Sequence, residues 1–397
     1  MERARAMIRL DQSPTDPAFV QNPYAFYAQA RSLGDIVFWR DYDLPVAVSH
    51  DAVSAILRDR RMGREAPEPP AIPDRLAAFY AVEAHSMLEL EPPRHTRLRG
   101  LVLRAFTTRR IKALAPEIAA LCHDLIDNFP EGEVDLLDAY ARRVPVIVIA
   151  RLLGVPEEMA DDLLAWSNAM VGMYQARRTP AMEVAAARAA AEFADFMRQY
   201  VEARRVRPAD DLITHLIAAE EAGDKLTTDE LITTCILLLN AGHEATVHTI
   251  GNGVKTLLET ETPAEALAPD RIGATVEEIL RFDPPLHLFT RHVYEEADIL
   301  GHRFRRGDQV GCLLAAANRD PALWSEPDRF DPARPVATNL AFGAGLHFCV
   351  GAPLARLELQ IALPILFARL PDLRLAAPAI YANLYHFHGL DRLTVQR

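Results

Sequence analysis

The chain has 397 residues, half of them hydrophobic and a quarter charged, which is typical of a folded globular protein and excludes wholesale disorder. Its 43 Lys and Arg residues against 55 Asp and Glu residues give a formal net charge of −12, so a general nucleic-acid binder is excluded. The sequence contains no run of about 18 apolar residues, so no membrane span is predicted. Its four cysteines include no CxxC pair, which predicts a protein of the reducing cytoplasm with neither a zinc ribbon nor a disulfide scaffold.

The first half of the chain is predicted to start with a mixed region and to continue with helices. Residues 36–39 and 46–49 predict short strands around a turn, and residues 51–58 predict a short helix. Four prolines within residues 66–73 predict a loop. Between residues 94 and 224 the apolar side chains recur at helical spacing with little strand signal, so we expect a helical body there.

The clearest predicted helix covers residues 226–259. Thr227 and Glu230 have the spacing of a capping box at its N-terminus. About 30 residues follow without proline, and at 1.5 Å per residue they give a helix of roughly 45 Å. A shorter helix is predicted for residues 272–282, because Asp283 and two prolines after it would stop the helix there.

The last third of the chain predicts short strands and a final helix. Residues 291–314 contain short apolar segments separated by turn signals. A helix is predicted for residues 353–369, with a kink at Pro364. We therefore predict a mainly α fold with a small β lobe formed from about residues 36–49 and 291–314. Because no loose linker divides the chain, residues 1–397 are predicted to form a single domain.

The most informative segment is residues 342–351, with the sequence FGAGLHFCVG. Glycines surround Cys349 immediately before a predicted helix, so the backbone can approach a flat ligand and its N–H groups can point at the sulfur. Such a loop favours a thiolate that serves as one soft metal ligand, as cysteine does for haem iron. A purely structural cysteine is the commoner alternative. A dinucleotide loop is disfavoured because Phe348 occupies the place of its third glycine.

Here a family resemblance becomes specific. The segment matches Phe-Gly-x-Gly-x-His-x-Cys-x-Gly at every fixed position, which is the haem-binding signature of the cytochrome P450 superfamily. Further motifs follow the family's order: 241–246 resembles its oxygen-binding helix, 278–281 its Glu-x-x-Arg, 327–330 its arginine segment and 91–99 the haem-contacting helix of its soluble bacterial branch. The resemblance implies the cytochrome P450 fold, in which a long central helix crosses the haem in one triangular domain.

The resemblance also implies haem b (iron protoporphyrin IX) as the cofactor, with Cys349 as the proximal iron ligand and the only metal ligand from the chain. Two propionates at a buried edge need charge-assisted donors. The residues that the family pattern assigns to the cofactor are His95, Arg99, Arg291 and His347 at the propionates, together with Phe342, Gly343 and Ala241.

A structural role is implied for Glu278, Arg281 and Arg329, which the resemblance places in a buried network behind the haem. Glu278 and Arg281 are i,i+3 neighbours and share a helix face. The alternative is an exposed helical ion pair, which Glu277 with Arg281 at i,i+4 also offers.

The long helix carries polar residues within an apolar run, and these are costly to bury unless they are satisfied. One explanation is a local, water-lined opening of the helix near Gly242; the alternative is a helix with a polar outer face. Glu244, Ala245 and Thr246 are the expected catalytic positions, but Ala245 stands where the family usually has threonine. Thr246 is turned by about 100° from that position. We therefore hypothesise that Glu244, ordered water and a hydroxyl or carbonyl of the substrate supply protons.

The resemblance implies a pocket above the haem for a small hydrophobic organic substrate. The residues expected to line it are Met87, Leu88, Met170, Leu237, Asn240, His287, Leu288 and Phe387. Because the chain contains no flavin or iron–sulfur motif, electrons are expected from a separate ferredoxin-type protein and its reductase. The cations expected to form its docking patch are Arg97, Arg104, Arg109, Arg110, Lys112 and Arg356, with scattered solubilising charge as the alternative.

Three functions remain open from the sequence. The leading one is a monooxygenase that inserts one atom of O₂ into the substrate, most simply as a hydroxylation. A peroxide-driven peroxygenase is the second, and the retained Glu244 argues against it. A haem-binding protein without turnover is the third, and Ala245 is the feature that favours it.

Overall fold

The computed structural model describes residues 7–69, 71–221 and 226–397. The helices of these parts are α1 (Pro17–Gln21), α2 (Tyr24–Leu33), α3 (His50–Arg58), α4 (Ala77–Glu83), α5 (Arg94–Ala105), α6 (Thr108–Ala113), α7 (Ala115–Asp127), α8 (Arg143–Leu153), α9 (Ala160–Val171), α10 (Pro180–Val206), α11 (Leu212–Glu221), α12 (Thr228–Glu259), α13 (Ile272–Phe282), α14 (Leu314–Ala317) and α15 (Ala352–Arg369). None of the helices in the described parts is both long and apolar enough to cross a membrane.

The strands are short. They are β1 (Arg9–Leu10), β2 (Ile36–Trp39), β3 (Leu44–Ala47), β4 (Met62–Gly63), β5 (Glu133–Asp135), β6 (Leu288–Val293), β7 (Ala297–Ile299), β8 (His302–Phe304), β9 (Gln309–Leu313), β10 (Arg374–Leu375), β11 (Ile380–Tyr381), β12 (Leu390–Arg392) and β13 (Thr394–Gln396). Short 3₁₀ turns, such as Gly345–His347, and a π-helical turn at Leu137–Ala141 connect several elements.

The predicted β lobe is a six-stranded sheet with the order β1-β2-β3-β9-β6-β4. β3 pairs parallel with β9, so the two segments predicted from distant parts of the sequence lie side by side. β3 lies two residues before the predicted 46–49, because Ser49 caps α3 by accepting a hydrogen bond from the backbone N–H of Ala52. Gly311 of β9 sits where a Cβ would lie 2.8 Å from Val46, so only glycine fits this crossing.

The central helix α12 matches its prediction closely. Its Thr227–Glu230 capping box is present, and the helix packs on α8, α9, α10 and α13. Gly242 allows the contact with α8, since a Cβ there would lie 2.9 Å from Ile149. α12 is α-helical throughout, so the predicted local opening is wrong. Some of its polar side chains are satisfied by helix carbonyls, as His243 Nδ1 is at 2.8 Å from the carbonyl of Leu239. Others, such as Asn240 Oδ1, are buried without a hydrogen-bond partner among the described residues.

The last helix, α15, packs on α7 and α13 and continues through Pro364 without a break. It begins just after the cysteine loop, as the sequence predicts. The fold therefore holds one end of α15, the middle of α12 and the β lobe in fixed positions around the loop that carries Cys349.

The close packing of the sheet can be tested at Gly311. We expect Gly311→Ala to destabilise the protein by about 1–3 kcal/mol, because its methyl group would press on Val46 across the β3–β9 crossing. Urea unfolding followed by circular dichroism measures this. The matched control is Gly273→Ala in α13, where the added carbon would meet only the side-chain nitrogen of Gln360 at 3.8 Å; it should be neutral or mildly stabilising. Equal effects of the two variants would contradict the packing argument.

Candidate functional site

The loop around Cys349 is shaped by two glycines. Gly343 and Gly345 have φ values of 68° and 69°, in the left-handed region that favours glycine. A Cβ on Gly345 would lie 2.2 Å from the carbonyl oxygen of Leu57, so no side chain fits there. The backbone N–H of Cys349 donates to the carbonyl of Phe342 at 3.0 Å and closes the loop. The glycines thus place the cysteine at the start of α15 against the β lobe.

The Cys349 side chain is solvent-accessible, whereas Cys122, Cys235 and Cys312 are buried. The backbone N–H groups of Gly351 and Ala352 donate to its sulfur, as the sequence predicts. The protein that surrounds the sulfur raises its pKa by desolvation, and this outweighs the lowering by those N–H groups and by Arg99 and Arg356. The loop alone therefore does not favour the thiolate, which corrects that expectation. A metal ion bound at the sulfur would supply the missing stabilisation, because coordinating thiols are deprotonated.

Basic side chains surround the loop. His95 is almost completely buried, its ring centroid is 4.4 Å from that of His347, and its Nδ1 atom has no hydrogen-bond partner among the described residues. Burial, followed by repulsion from His347 and Arg99, lowers the pKa of His95 to about 4. The guanidinium of Arg99 donates to the carbonyl of Phe348 at 2.5 Å. Four of the predicted cofactor residues, Cys349 included, are thus brought together by α5 and the loop.

Arg291 on β6 is 5% exposed, and its guanidinium donates to the carbonyl of Thr290 at 2.9 Å. Among the described residues it forms no ion pair with a carboxylate, and burial lowers its pKa. An unpaired buried cation is costly. Together with the orphan Nδ1 of His95, it fits a bound group that brings carboxylates of its own. The accessible sulfur and these donors therefore fit haem and its propionates.

Glu91 was not among the predicted site residues, although it lies in the predicted haem-contacting motif at residues 91–99. The Glu91 carboxylate accepts hydrogen bonds from His347 at 2.8 Å and from the backbone N–H of Arg64 at 2.7 Å. Burial would raise the pKa of Glu91, but the hydrogen bonds from His347 and Arg64 lower it overall. His347 is therefore held by a carboxylate within the chain. The signal in the sequence was an acidic residue four positions before His95, the predicted propionate ligand, with two prolines and an arginine between them.

Glu358 on α15 was also missed. It is fully buried, neither carboxylate oxygen has a hydrogen-bond partner among the described residues, and burial raises its pKa well above the usual range. Burial at this position therefore favours the neutral form of the carboxyl group. The only signal in the sequence was an acidic residue between Leu357 and Leu359 in an otherwise apolar helix.

Glu244 lies between two histidines of its own helix. Its carboxylate oxygens are 3.4 Å from Nε2 of His243 and 3.5 Å from Nε2 of His248. Burial acts to raise the pKa of Glu244, but these two histidines hold it well below the usual range. Glu244 is therefore ionised. Next to it, Ala245 offers no hydroxyl, and the Thr246 hydroxyl turns back to the carbonyl of Gly242 at 3.5 Å.

The network behind the loop differs from its prediction in one member. Arg281 forms a bidentate pair with Glu278 at 2.7 Å and 2.8 Å, and both are buried. Arg329, which was predicted to join them, has a side chain 60% exposed that pairs with Glu326 and Asp331. Only its carbonyl reaches the network, where it accepts from Arg281. Arg334, 10% exposed and 3.4 Å from Glu278, takes the predicted place of Arg329.

Glu277 is not part of this pair. It binds Arg356 and the side-chain amide of Asn339 instead, so the alternative of a Glu277–Arg281 pair is wrong. The tertiary structure, and not helical spacing, selects which carboxylate Arg281 meets.

Several predicted pocket residues do approach one another. The Asn240 side-chain amide of α12 lies 3.6 Å from the sulfur of Met170 on α9, and its oxygen is buried without a partner among the described residues. Phe387 lies 6.0 Å from the ring of His248. Met87 is buried, and Leu88 and Leu237 are partly buried. Ala241, predicted to contact the cofactor, is exposed in the middle of α12 between the partly buried Asn240 and Gly242, and so borders open space.

Two predicted pocket residues lie elsewhere. His287 is fully buried, and its Nδ1 is 2.8 Å from the hydroxyl of Tyr27 on α2. Leu288 packs in the apolar cluster of Phe19, Tyr27 and Trp39. Both belong to the core of the β lobe, where His287 contacts Tyr27 of α2 and Leu288 lies in the cluster that contains Tyr27.

The predicted basic patch is partly consumed by ion pairs. Arg97 pairs with Glu230, Arg110 with Asp210 and Arg356 with Glu277. Arg104, Arg109 and Lys112 on α5 and α6 are exposed.

Comparison with known proteins agrees with this geometry. The family model "Cytochrome P450" matches residues 272–370. The chain is 38% identical over 375 residues to cytochrome P450 107B1 of Saccharopolyspora erythraea, a match that covers 91% of each chain. It is also 38% identical over 391 residues to the vitamin D(3) 25-hydroxylase of Pseudonocardia autotrophica, covering 95% of this chain and 94% of that protein. The solved structure of P450BioI in complex with hexadec-9Z-enoic acid ligated acyl carrier protein superposes with a TM-score of 0.91 at 35% identity, covering 96% of this chain and 99% of that one.

The chain therefore belongs to the cytochrome P450 family, and the predicted family and fold are confirmed. It is a bacterial-type cytochrome P450 monooxygenase, an oxidoreductase whose cofactor is haem.

The contact of Arg334, and not Arg329, with Glu278 can be tested by mutation. We expect Arg334→Ala to lower the free energy of unfolding by about 1–3 kcal/mol, because it removes a buried partner of Glu278. Arg329→Ala is the matched control and should cost less than about 0.5 kcal/mol, since its ion pairs are exposed. Chemical denaturation of the two variants measures the difference. A larger loss for Arg329→Ala would contradict the assignment.

Proposed function

We propose that the chain binds haem through Cys349 and hydroxylates a small hydrophobic organic molecule with one atom of O₂. The observation that carries this proposal is the accessible Cys349 sulfur, held by two backbone N–H groups beside the unpaired buried donors His95 and Arg291. A purely structural cysteine would have no need of such donors. We also propose that the protein works in the cytoplasm, which its four free cysteines support.

When bound, haem supplies an iron centre for the activation of O₂, and a thiolate ligand directs electron density that favours O–O cleavage. The residues of the chain bind and orient it. Cys349 would hold the iron, and the N–H groups of Gly351 and Ala352 would stabilise charge on its sulfur. His95, Arg99 and Arg291 would bind the propionates, whereas His347 would contribute less because its Nε2 atom already binds Glu91. Phe342, Gly343 and Ala241 would contact the cofactor.

Glu244 is the proposed centre of proton delivery. Because Glu244 is ionised beside His243 and His248, it must accept a proton before it can pass one on. Ala245 provides no hydroxyl, and the Thr246 hydroxyl is occupied by the carbonyl of Gly242. A hydroxyl or carbonyl of the substrate, with ordered water, would complete the path.

Electrons would come from an acidic ferredoxin-type protein. The exposed Arg109 and Lys112 support a docking site on α6, directly after the helix that carries Arg99. Arg97, Arg110 and Arg356 contribute less, because carboxylates of the chain already pair with them.

The iron ligand is tested by the carbon monoxide difference spectrum of the dithionite-reduced holoprotein. A strongly red-shifted Soret band is expected for the native protein, and Cys349→His should move the band to the ordinary histidine-ligated position. Cys312→Ser is the control, since this cysteine is buried in the β lobe, and it should leave the band unchanged. A native band at the histidine-ligated position would overturn the proposal.

Proton delivery is tested by the ratio of product formed to O₂ consumed. Glu244→Gln should lower turnover about 10²-fold, because it removes the ionised group between the two histidines. Ala245→Thr should leave coupling with a substrate that bears a nearby hydroxyl unchanged. If the native protein is poorly coupled with every substrate and Ala245→Thr repairs it, substrate assistance is wrong. Product formation from hydrogen peroxide alone, without redox partners, would instead favour the peroxygenase.

A further inference from the structure

A group of metal-ligating side chains lies in the core of the β lobe, outside the site described above. A ring nitrogen of His287, a ring nitrogen of His388 and a carboxylate oxygen of Asp283 all lie within 4.8 Å of one another. Each of the three residues is at most 4% exposed. They come from separate segments, since Asp283 follows α13, His287 directly precedes β6 and His388 precedes β12. We call them the Asp283 triad.

The spacing of the triad is close to that of a tetrahedral metal site. With metal–ligand distances of about 2.0–2.1 Å, neighbouring ligand atoms of such a site are about 3.4 Å apart. Nε2 of His388 lies 3.5 Å from Oδ1 of Asp283, and the ring centroids of His287 and His388 are 4.6 Å apart. No pair of ligand atoms therefore has to approach by more than about 1.4 Å to bind one ion.

The carboxylate of Asp283 is oriented by two hydroxyl groups. Tyr24 donates to its Oδ1 at 2.6 Å, and Tyr381 donates to its Oδ2 at 2.5 Å. Each carboxylate oxygen can accept more than one bond, so both retain a lone pair. Among the described residues, Asp283 forms no ion pair with an arginine or a lysine. The site thus holds a buried negative charge with hydroxyl partners but without a cation, which is costly.

His287 has one ring nitrogen with a partner and one without. Its Nδ1 is 2.8 Å from the hydroxyl of Tyr27, which is itself 2.8 Å from the hydroxyl of Tyr385. Its Nε2 is buried without a hydrogen-bond partner among the described residues. Histidines that bind metals usually donate their second N–H to a protein group, which fixes the ring and the tautomer. When Nδ1 donates to Tyr27, Nε2 keeps a lone pair that a metal ion would use.

The opposite direction of the same hydrogen bond is the metal-free alternative. It would place the proton on Nε2 of His287, with the backbone carbonyl of Pro284 close to the ring. The triad would then be an ordinary buried polar network. Measurement of bound metal distinguishes these two arrangements.

Arg319 is a permanent cation near the triad. Its guanidinium donates to the carbonyl of Phe282 at 2.7 Å, pairs with Asp328 at 3.2 Å and lies 3.5 Å from the ring centroid of Tyr24. Arg319 therefore has partners of its own. Its positive charge opposes a second cation, so we expect a dissociation constant of about 1–10 µM and not a tighter one.

We propose that Asp283, His287 and His388 bind a zinc ion. Two imidazoles and one carboxylate are typical zinc ligands, whereas magnesium and calcium prefer sites made of oxygen atoms. A water molecule would take the fourth position. The ion would tie the end of α13 and the start of β6 to the C-terminal loop. This inference goes beyond the proposed function and does not depend on it.

The experiment uses the holoprotein without an affinity tag, in which Cys349 is occupied by haem iron. The protein is dialysed against a chelator and then against zinc sulfate, and its zinc and iron are counted by mass spectrometry. One zinc per chain is expected in addition to the haem iron. X-ray absorption at the zinc edge should show nitrogen and oxygen ligands at about 2.0–2.2 Å. No bound zinc, iron in excess of haem in its place, or a sulfur ligand at about 2.3 Å would overturn the inference.

His388→Gln and His287→Gln should each weaken zinc binding at least about tenfold, because each removes one ligand. Either variant serves if the other fails to fold. His123→Gln is the control, an exposed histidine on α7 with the same change of side chain, and should bind zinc as the native protein does. Native zinc binding by both folded triad variants would overturn the inference.

Thermal unfolding separates zinc binding from a merely structural role of the triad. Zinc at 100 times its dissociation constant should raise the melting temperature of the native protein by about 3–5 °C and leave that of His388→Gln unchanged. A variant that is less stable by the same amount with and without zinc would show a packing role only and would contradict the proposal. The iron count reports haem binding separately, so failure of the zinc site and failure of the proposed function are distinguishable.

Discussion

The site depends on a thiol that the protein holds ready but does not ionise by itself. Desolvation raises the pKa of Cys349, and the N–H groups at the start of α15 only reduce that effect. A cation bound at the sulfur would stabilise the thiolate and so oppose the desolvation. The glycine turns at 343 and 345, the packing of the loop on Leu57 and the position of α15 all serve to place this one atom where it remains accessible.

Basic side chains at the edge of the site are also buried without full compensation from the chain. Arg291 and His95 are buried without carboxylates from the described chain, whereas His347 receives one from Glu91. The chain thus leaves some donors for a ligand and satisfies others internally. Buried charge without a partner is costly, so the stability of this region should be linked to the presence of haem. The network of Glu278, Arg281 and Arg334 lies behind the loop and is complete without any ligand.

Helix α12 is regular in its backbone but carries an unusual set of side chains. Helix carbonyls and the approach of two histidines to Glu244 satisfy part of its polar groups, whereas Asn240 Oδ1 is buried without a hydrogen-bond partner among the described residues. The position of the usual threonine is apolar, and the neighbouring hydroxyl of Thr246 is turned back to the helix. These two features are the reason for proposing that the substrate takes part in proton delivery.

The sequence by itself determined what depends on neighbouring residues: the capping box of α12, the ends of α13, the glycine loop and the motifs that define the family. It also placed most donors around Cys349, because these follow fixed motifs. Only the tertiary structure decided which arginine meets Glu278, that His287 and Leu288 face α2, and that Glu83 gathers with Arg64 and Tyr174. These contacts join residues far apart in the chain. Strand register and helix packing select them, and the energy of a buried charge depends on partners that local sequence does not specify.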